Sequence, residues 1–243
     1  MLFRQNNFPI IVIFFFFLIH LLFIGLWPVN FEFTFSEGAK YFKDFDKAYL
    51  DFYKNNNANT FMFPLLIGLI NKIIPIDNLV ISKIISSSSY IFLGFAIINF
   101  HKYLNLKVKI EETLIFIFLN PIVWYLGLRG TPDIIATSIA LFSISNLIIN
   151  KKENLKNLFY LFLFSLAILL KPIVILSFII FIYIKFEDQN FKININLIKK
   201  LILNILIISL PLILFYKFLY FEITNDYVNI ISVKFGGFLS NFF

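Results

Sequence analysis

Cysteine is absent from the 243 residues, and histidine occurs only twice. The first absence excludes disulfides, thiolate metal sites and a thiol nucleophile, and it leaves the compartment of the loops open. Charge is scarce as well: Asp, Glu, Lys and Arg make up 14% of the chain, against about a quarter in an ordinary soluble domain. There is no Gly-rich phosphate loop, no HExxH and no zinc-type spacing. With 60% hydrophobic residues and a mean hydropathy of +0.86, a soluble fold is excluded.

What fills the chain is apolar. Phe alone occurs 35 times, and its company of Ile, Leu, Asn and Lys is the mixture an AT-rich coding sequence produces, so the Phe content itself carries no functional meaning. The composition predicts an all-α, polytopic membrane bundle of about seven transmembrane helices, treated as one domain over 1–243. A formal charge of +7 then becomes a question of where each Lys sits relative to the bilayer, and no nucleic-acid partner is expected.

The first apolar run, Pro9 to Val29, follows a lone Arg4 and resembles a signal peptide at first sight. It is too long for an h-region and no small-residue cleavage site follows, so it reads as a first transmembrane helix. Residues 30–78 form the expected first outer loop. Its acids Glu32, Glu37, Asp44, Asp46 and Asp51 alternate with Lys40, Lys43, Lys47 and Lys54, and its aromatics recur at helical intervals. That pattern suggests amphipathic helices lying on the membrane surface. The run at 61–76 is broken by Pro64, Gly68, Asn71 and Lys72, and suits an interfacial or re-entrant helix better than a crossing. Further apolar runs follow at 79–100, 112–128, 134–149, 157–170, 172–186 and 200–220, with Lys171 and Pro172 marking a turn at a membrane face.

If 61–76 does not cross, the loops at 1–8, 101–111, 150–157 and 185–200 share one side. They carry eleven of the 21 basic residues, and the positive-inside rule makes that side cytoplasmic. The opposite side holds nine of the fourteen acids, together with the turn Arg129, Gly130, Thr131, Pro132, Asp133 and the Lys171 corner. Taken singly, Arg129 with Asp133 reads as a local ion pair and Lys171 as a snorkelling side chain. Taken together, carboxylates and fixed cations on one face suit a reaction of a lipid-phosphate donor: a carboxylate accepts a hydroxyl proton and the cations neutralise a phosphate leaving group. The histidines, His20 and His101, are expected to pack or face solvent, and Ser86 to Ser89 to allow close helix packing.

The order of these parts resembles the GT-C superfamily of polyprenyl-phosphate-sugar-dependent membrane glycosyltransferases, most of all its dolichyl-phosphate-mannose and aminoarabinose transferase-like branch. The likeness rests on Glu37 followed by Lys40 and Tyr41, on Phe63 and Pro64 opening a juxtamembrane helix, on Arg129 before Pro132 and Asp133, and on Leu169, Leu170, Lys171 and Pro172. It implies a periplasmic site at the bacterial inner membrane, with Glu37 as catalytic base and Asp133 as a second acid. Lys40, Arg129 and Lys171 would bind the donor phosphate, Asp44 and Asp46 being alternative bases. A divalent metal, Mg or Mn, would be held by Glu37 and Asp133 if present. The implied partners are a polyprenyl-phosphate-sugar donor, membrane lipids and an acceptor. Family members usually carry further helices, and 221–243 reads as the start of another outer loop cut short. The alternatives are a transporter or flippase for lipid-linked sugars, and a non-catalytic membrane subunit.

Overall fold

The computed structural model describes residues 7–25, 30–44, 62–150, 155–191 and 195–215. Every regular element among them is helical: α1 Phe8–Leu22, α2 Asn30–Asp44, α3 Met62–Ile73, α4 Asn78–Ser87, α5 Ser89–Leu104, α6 Ile110–Phe118, α7 Pro121–Leu128, α8 Pro132–Ile149, α9 Leu155–Leu170, a 3-10 segment Pro172–Ser177, α10 Phe178–Glu187 and α11 Ile195–Phe215.

The helices begin and end where local chemistry dictates. Asp77 caps α4 by accepting from the Leu79 and Val80 amides at 2.8 and 3.2 Å. Asn105 ends α5 in the left-handed region, at φ 48°, with its amide turned back to the Lys102 carbonyl. The expected single run at 112–128 is instead two helices bent by 64°. Pro121 supplies no amide to continue α6, and the Asn120 side chain caps the Ile122 amide at 2.9 Å, so a fresh helix starts there. The run at 172–186 likewise opens as a 3-10 segment behind Pro172.

Two apolar clusters hold the bundle. One is built from α1, α5 and α6, where Phe16, Tyr90 and Phe118 meet with ring centroids 5.0 to 6.4 Å apart. A Cβ on Gly94 would run into Ile13, so this glycine is what lets α1 and α5 approach. The other cluster joins α8 and α9, the central antiparallel pair, to α4, α10 and α11, and it takes in Ala39 of α2 with Phe63 and Ile67 of α3. The amphipathic helix expected in the first loop therefore packs into the fold through buried side chains.

Outside these clusters the bundle is strongly apolar. Leu22, Phe116 and Leu155 are each about four-fifths exposed, and α11 buries only Leu197 and Ile208 of its 21 residues. Water would penalise such a surface at roughly 25 cal/mol per Å², whereas a bilayer does not. Asn78–Leu104 (α4 with α5), Pro132–Ile149 and Ile195–Phe215 are long and apolar enough to cross a membrane, and the bent pair α6 with α7 makes a fourth if taken as one span. Phe8–Leu22, Met62–Ile73 and Leu155–Leu170 are apolar but shorter.

Candidate functional site

One end of the bundle gathers the chemistry, and α4 is the element that gathers it. Its first residue, Asn78, donates to the Ser36 carbonyl at 3.1 Å, which fixes the turn of α2 that carries Glu37. One turn on, Ser82 lies directly under Gly130, where a Cβ would strike the serine hydroxyl and stand 3.0 Å from Ser82 Cβ. After a further turn Ser86 donates to the Thr131 carbonyl at 2.8 Å, and Ser87 to the Gly127 carbonyl at 3.3 Å. Small hydroxyl residues thus serve a carbonyl in the last turn of α7 and one in the turn beyond it, and they allow that turn to sit close. The packing role expected of the serine run is what Ser86 and Ser87 perform.

Above that turn α8 starts. Pro132 occupies its first position and Asp133 its first turn, where the helix dipole favours a carboxylate. Neighbouring α9 runs antiparallel and ends at Leu170, with Lys171 in extended conformation just beyond it, φ −150° and ψ 102°. The Lys171 ammonium meets Asp133 Oδ1 at 2.7 Å, with the two side chains 32% and 41% exposed. Asp133 thus pairs with Lys171 across two helices. Arg129 lays its guanidinium over the Tyr125 ring, 5.2 Å from its centroid.

On α2 a second pair forms one turn apart: the Lys40 ammonium donates to Glu37 Oε1 at 2.5 Å, with Glu37 12% and Lys40 40% exposed. The carboxylate is sunk against the helix bundle while the cation reaches outward. Tyr41 and Asp44 belong to the same helix, and Asp46, like the segment 221–243, lies outside the described residues. Phe63 and Pro64 are buried where α3 packs on α2, and they offer packing with no cation.

Each carboxylate already faces an ammonium. A divalent metal held by Glu37 or Asp133 would have to share that carboxylate with the Lys40 or Lys171 ammonium. Among the described residues no group of three or more His, Asp or Glu side chains comes together.

One polar feature escaped sequence reasoning. Lys83, one turn inside α4, is 3% exposed and donates to the Ile24 carbonyl at 2.8 Å, tying the end of α1 to the same face. Its signal was available as a single charge inside a long apolar run. His20, fully buried, bonds the Phe16 carbonyl at 2.9 Å and the Tyr90 hydroxyl at 2.8 Å, and its ring lies 4.2 Å from that of Trp124. The packing expected of His20 is thereby given a specific partner.

No protein-family model, no curated protein and no solved structure matches the chain.

Proposed function

We propose that the chain is a membrane glycosyltransferase of GT-C type, which moves a sugar from a polyprenyl-phosphate donor to a hydroxyl acceptor at the outer face of the membrane. The reading takes seven crossings: α1, α4 with α5, α6 with α7, α8, α9, the 3-10 segment with α10, and α11. A cytoplasmic amino terminus is supported by the excess of Lys at the end opposite the site. On length alone α3, about 18 Å from its twelve residues, falls well short of a hydrocarbon core of roughly 30 Å.

The observation that carries the proposal is the Asp133–Lys171 ion pair, joined through α4 to the helix that bears Glu37 and Lys40. In the proposed step the bond from the anomeric carbon to the phosphate oxygen breaks, and its electron pair leaves with the phosphate. The acceptor oxygen forms the new bond through an oxocarbenium-like state and gives its proton to Glu37. Lys171, Lys40 and Arg129 stabilise the charge that develops on the departing phosphate, and Asp133 holds the Lys171 ammonium in place. No metal is needed for that balance.

Transfer of label from a polyprenyl-phosphate sugar by the purified protein tests this. Glu37→Gln should lower the rate by about 10²-fold or more, the usual worth of a positioned base. Asp133→Asn should slow transfer strongly while changing stability by only about 0–1 kcal/mol, because the ion pair is half exposed. Full activity in both variants would end the proposal.

A transporter for lipid-linked sugars is the second reading, favoured by the 64° break between α6 and α7, since transporters place broken helices at their binding sites. The same labelled donor separates the two: a transporter moves the lipid between leaflets and leaves the sugar attached.

A further inference from the structure

At the opposite end of the bundle, a cavity of about 650 Å³ opens between the last turn of α8, the first turns of α9 and α11, and the end of α10. Its wall runs along α11 from Leu197 to Ile207, which at 1.5 Å per residue is about 15 Å of helix. Among the described residues the polar side chains that line it are Lys185, Lys200, Asn150, Asn157, Gln189 and Asn204, with Asp188 as the one acid. Asp188 is itself approached by the Tyr103 hydroxyl at 3.4 Å, and the Lys185 ammonium stands 5.5 Å from the Phe181 ring centroid at the cavity wall.

We infer that this cavity holds the phosphate headgroup of an anionic phospholipid. Two cations and a ring of amides recognise a phosphate diester, the lysines as charges and the amides as donors. The position fits: the cavity lies at helix ends on the Lys-rich side, and basic pockets between spanning helices on that side bind such headgroups. The choice of a lipid over a free anion rests on the rest of the wall. Leu158 and Leu203 line the cavity and are about half exposed on the apolar flank of the bundle, so a path leads from the cations to the surface where acyl chains lie. Inorganic phosphate would meet the same lysines and gain nothing from that path. The inference is independent of the transferase reading, because none of these residues belongs to the outer end.

The test uses the whole protein in a neutral detergent, probed with phosphatidylglycerol, phosphatidylcholine and inorganic phosphate. Thermal unfolding follows the effect, and native mass spectrometry counts retained lipid. Phosphatidylglycerol should raise the unfolding temperature and remain bound at one molecule per chain, while phosphatidylcholine does neither. Lys185→Gln with Lys200→Gln should weaken apparent binding about 30-fold, from about 1 kcal/mol per lysine at an anionic lipid surface. Lys185→Arg with Lys200→Arg should keep it, and so should Lys102→Gln, which removes a charge from the same end outside the cavity. The unfolding transition of the lipid-free glutamine pair, set beside the parent's, shows whether it lost binding or lost its fold. Equal binding of the two lipids, full binding by the glutamine pair, or an equal effect of millimolar inorganic phosphate would overturn the inference.

Discussion

Gly130→Ala is the substitution that most directly probes how the candidate site's end of the bundle is assembled. The added Cβ meets the Ser82 hydroxyl head-on, with Ser82 Cβ 3.0 Å and the Lys83 amide nitrogen 3.4 Å away. Ser82 cannot simply swing aside without giving up its bond to the Leu79 carbonyl at 2.7 Å, and two of the three nearest atoms lie on or next to the α4 backbone. The turn must therefore lift off α4, at the usual cost of overpacking, about 1–3 kcal/mol. For a chain of this length that corresponds to a fall in unfolding temperature of roughly 2–12 °C. Ser82→Ala removes the atom in the way, so the double variant should recover at least half of the loss, a coupling of about 0.5–1.5 kcal/mol that thermal unfolding of the four proteins would measure. Ser82→Ala alone should cost less than about 1 kcal/mol, since the bond it deletes is local. Two additive substitutions, or a Gly130→Ala protein as stable as the parent, would refute the packing argument.

Tyr90→Phe removes the hydroxyl that meets His20 at 2.8 Å in a buried setting; between membrane helices such bonds are worth about 0.6–1.7 kcal/mol, and a drop of roughly 1–7 °C in unfolding temperature is expected. Because the chain has no cysteine, single cysteines report topology without background: at Asn105 and Gln189 they should react with an impermeant maleimide only from the cytoplasmic side, and at Lys40 only from the outer side. Labelling of all three from one side would dismantle the seven-crossing arrangement.

The helical class and most of the apolar runs were legible in the sequence because burial in a bilayer demands long uninterrupted hydrophobic stretches, and little else produces them. Pro172 and the Lys beside it announced the turn after α9 for the same reason. The break at Asn120 and Pro121 was less visible, since the hydropathy of the run continues across it and only the cap chemistry interrupts the helix. At the end of the bundle that carries the candidate site, Asp133 and Lys171 were legible as charges at helix ends. That they pair with each other depends on the antiparallel packing of α8 on α9, which no local pattern records. The role of α4 was hidden more deeply: Asn78 and Ser82 look like ordinary polar interruptions until the Ser36 carbonyl and Gly130 that they meet are known, and the packing expected of Ser86 does not say that it serves the Thr131 carbonyl.

In the proposed seven-crossing arrangement the 3-10 segment after Lys171 sets how far one crossing reaches. Its six residues rise about 2.0 Å each where an α-helix would rise about 1.5 Å, so the stretch covers roughly 12 Å in place of 9 Å. With the ten residues of α10 it reaches about 27 Å, close to the thickness of a hydrocarbon core, from an apolar run that an unbroken α-helix would leave at about 24 Å. If these sixteen residues cross as the seven-crossing proposal has them, the 3-10 winding brings their length closer to the bilayer's. Were the segment to wind into an α-helix, the missing 3 Å would be recovered by pulling Lys171 toward the lipid interior, or by thinning the membrane around it.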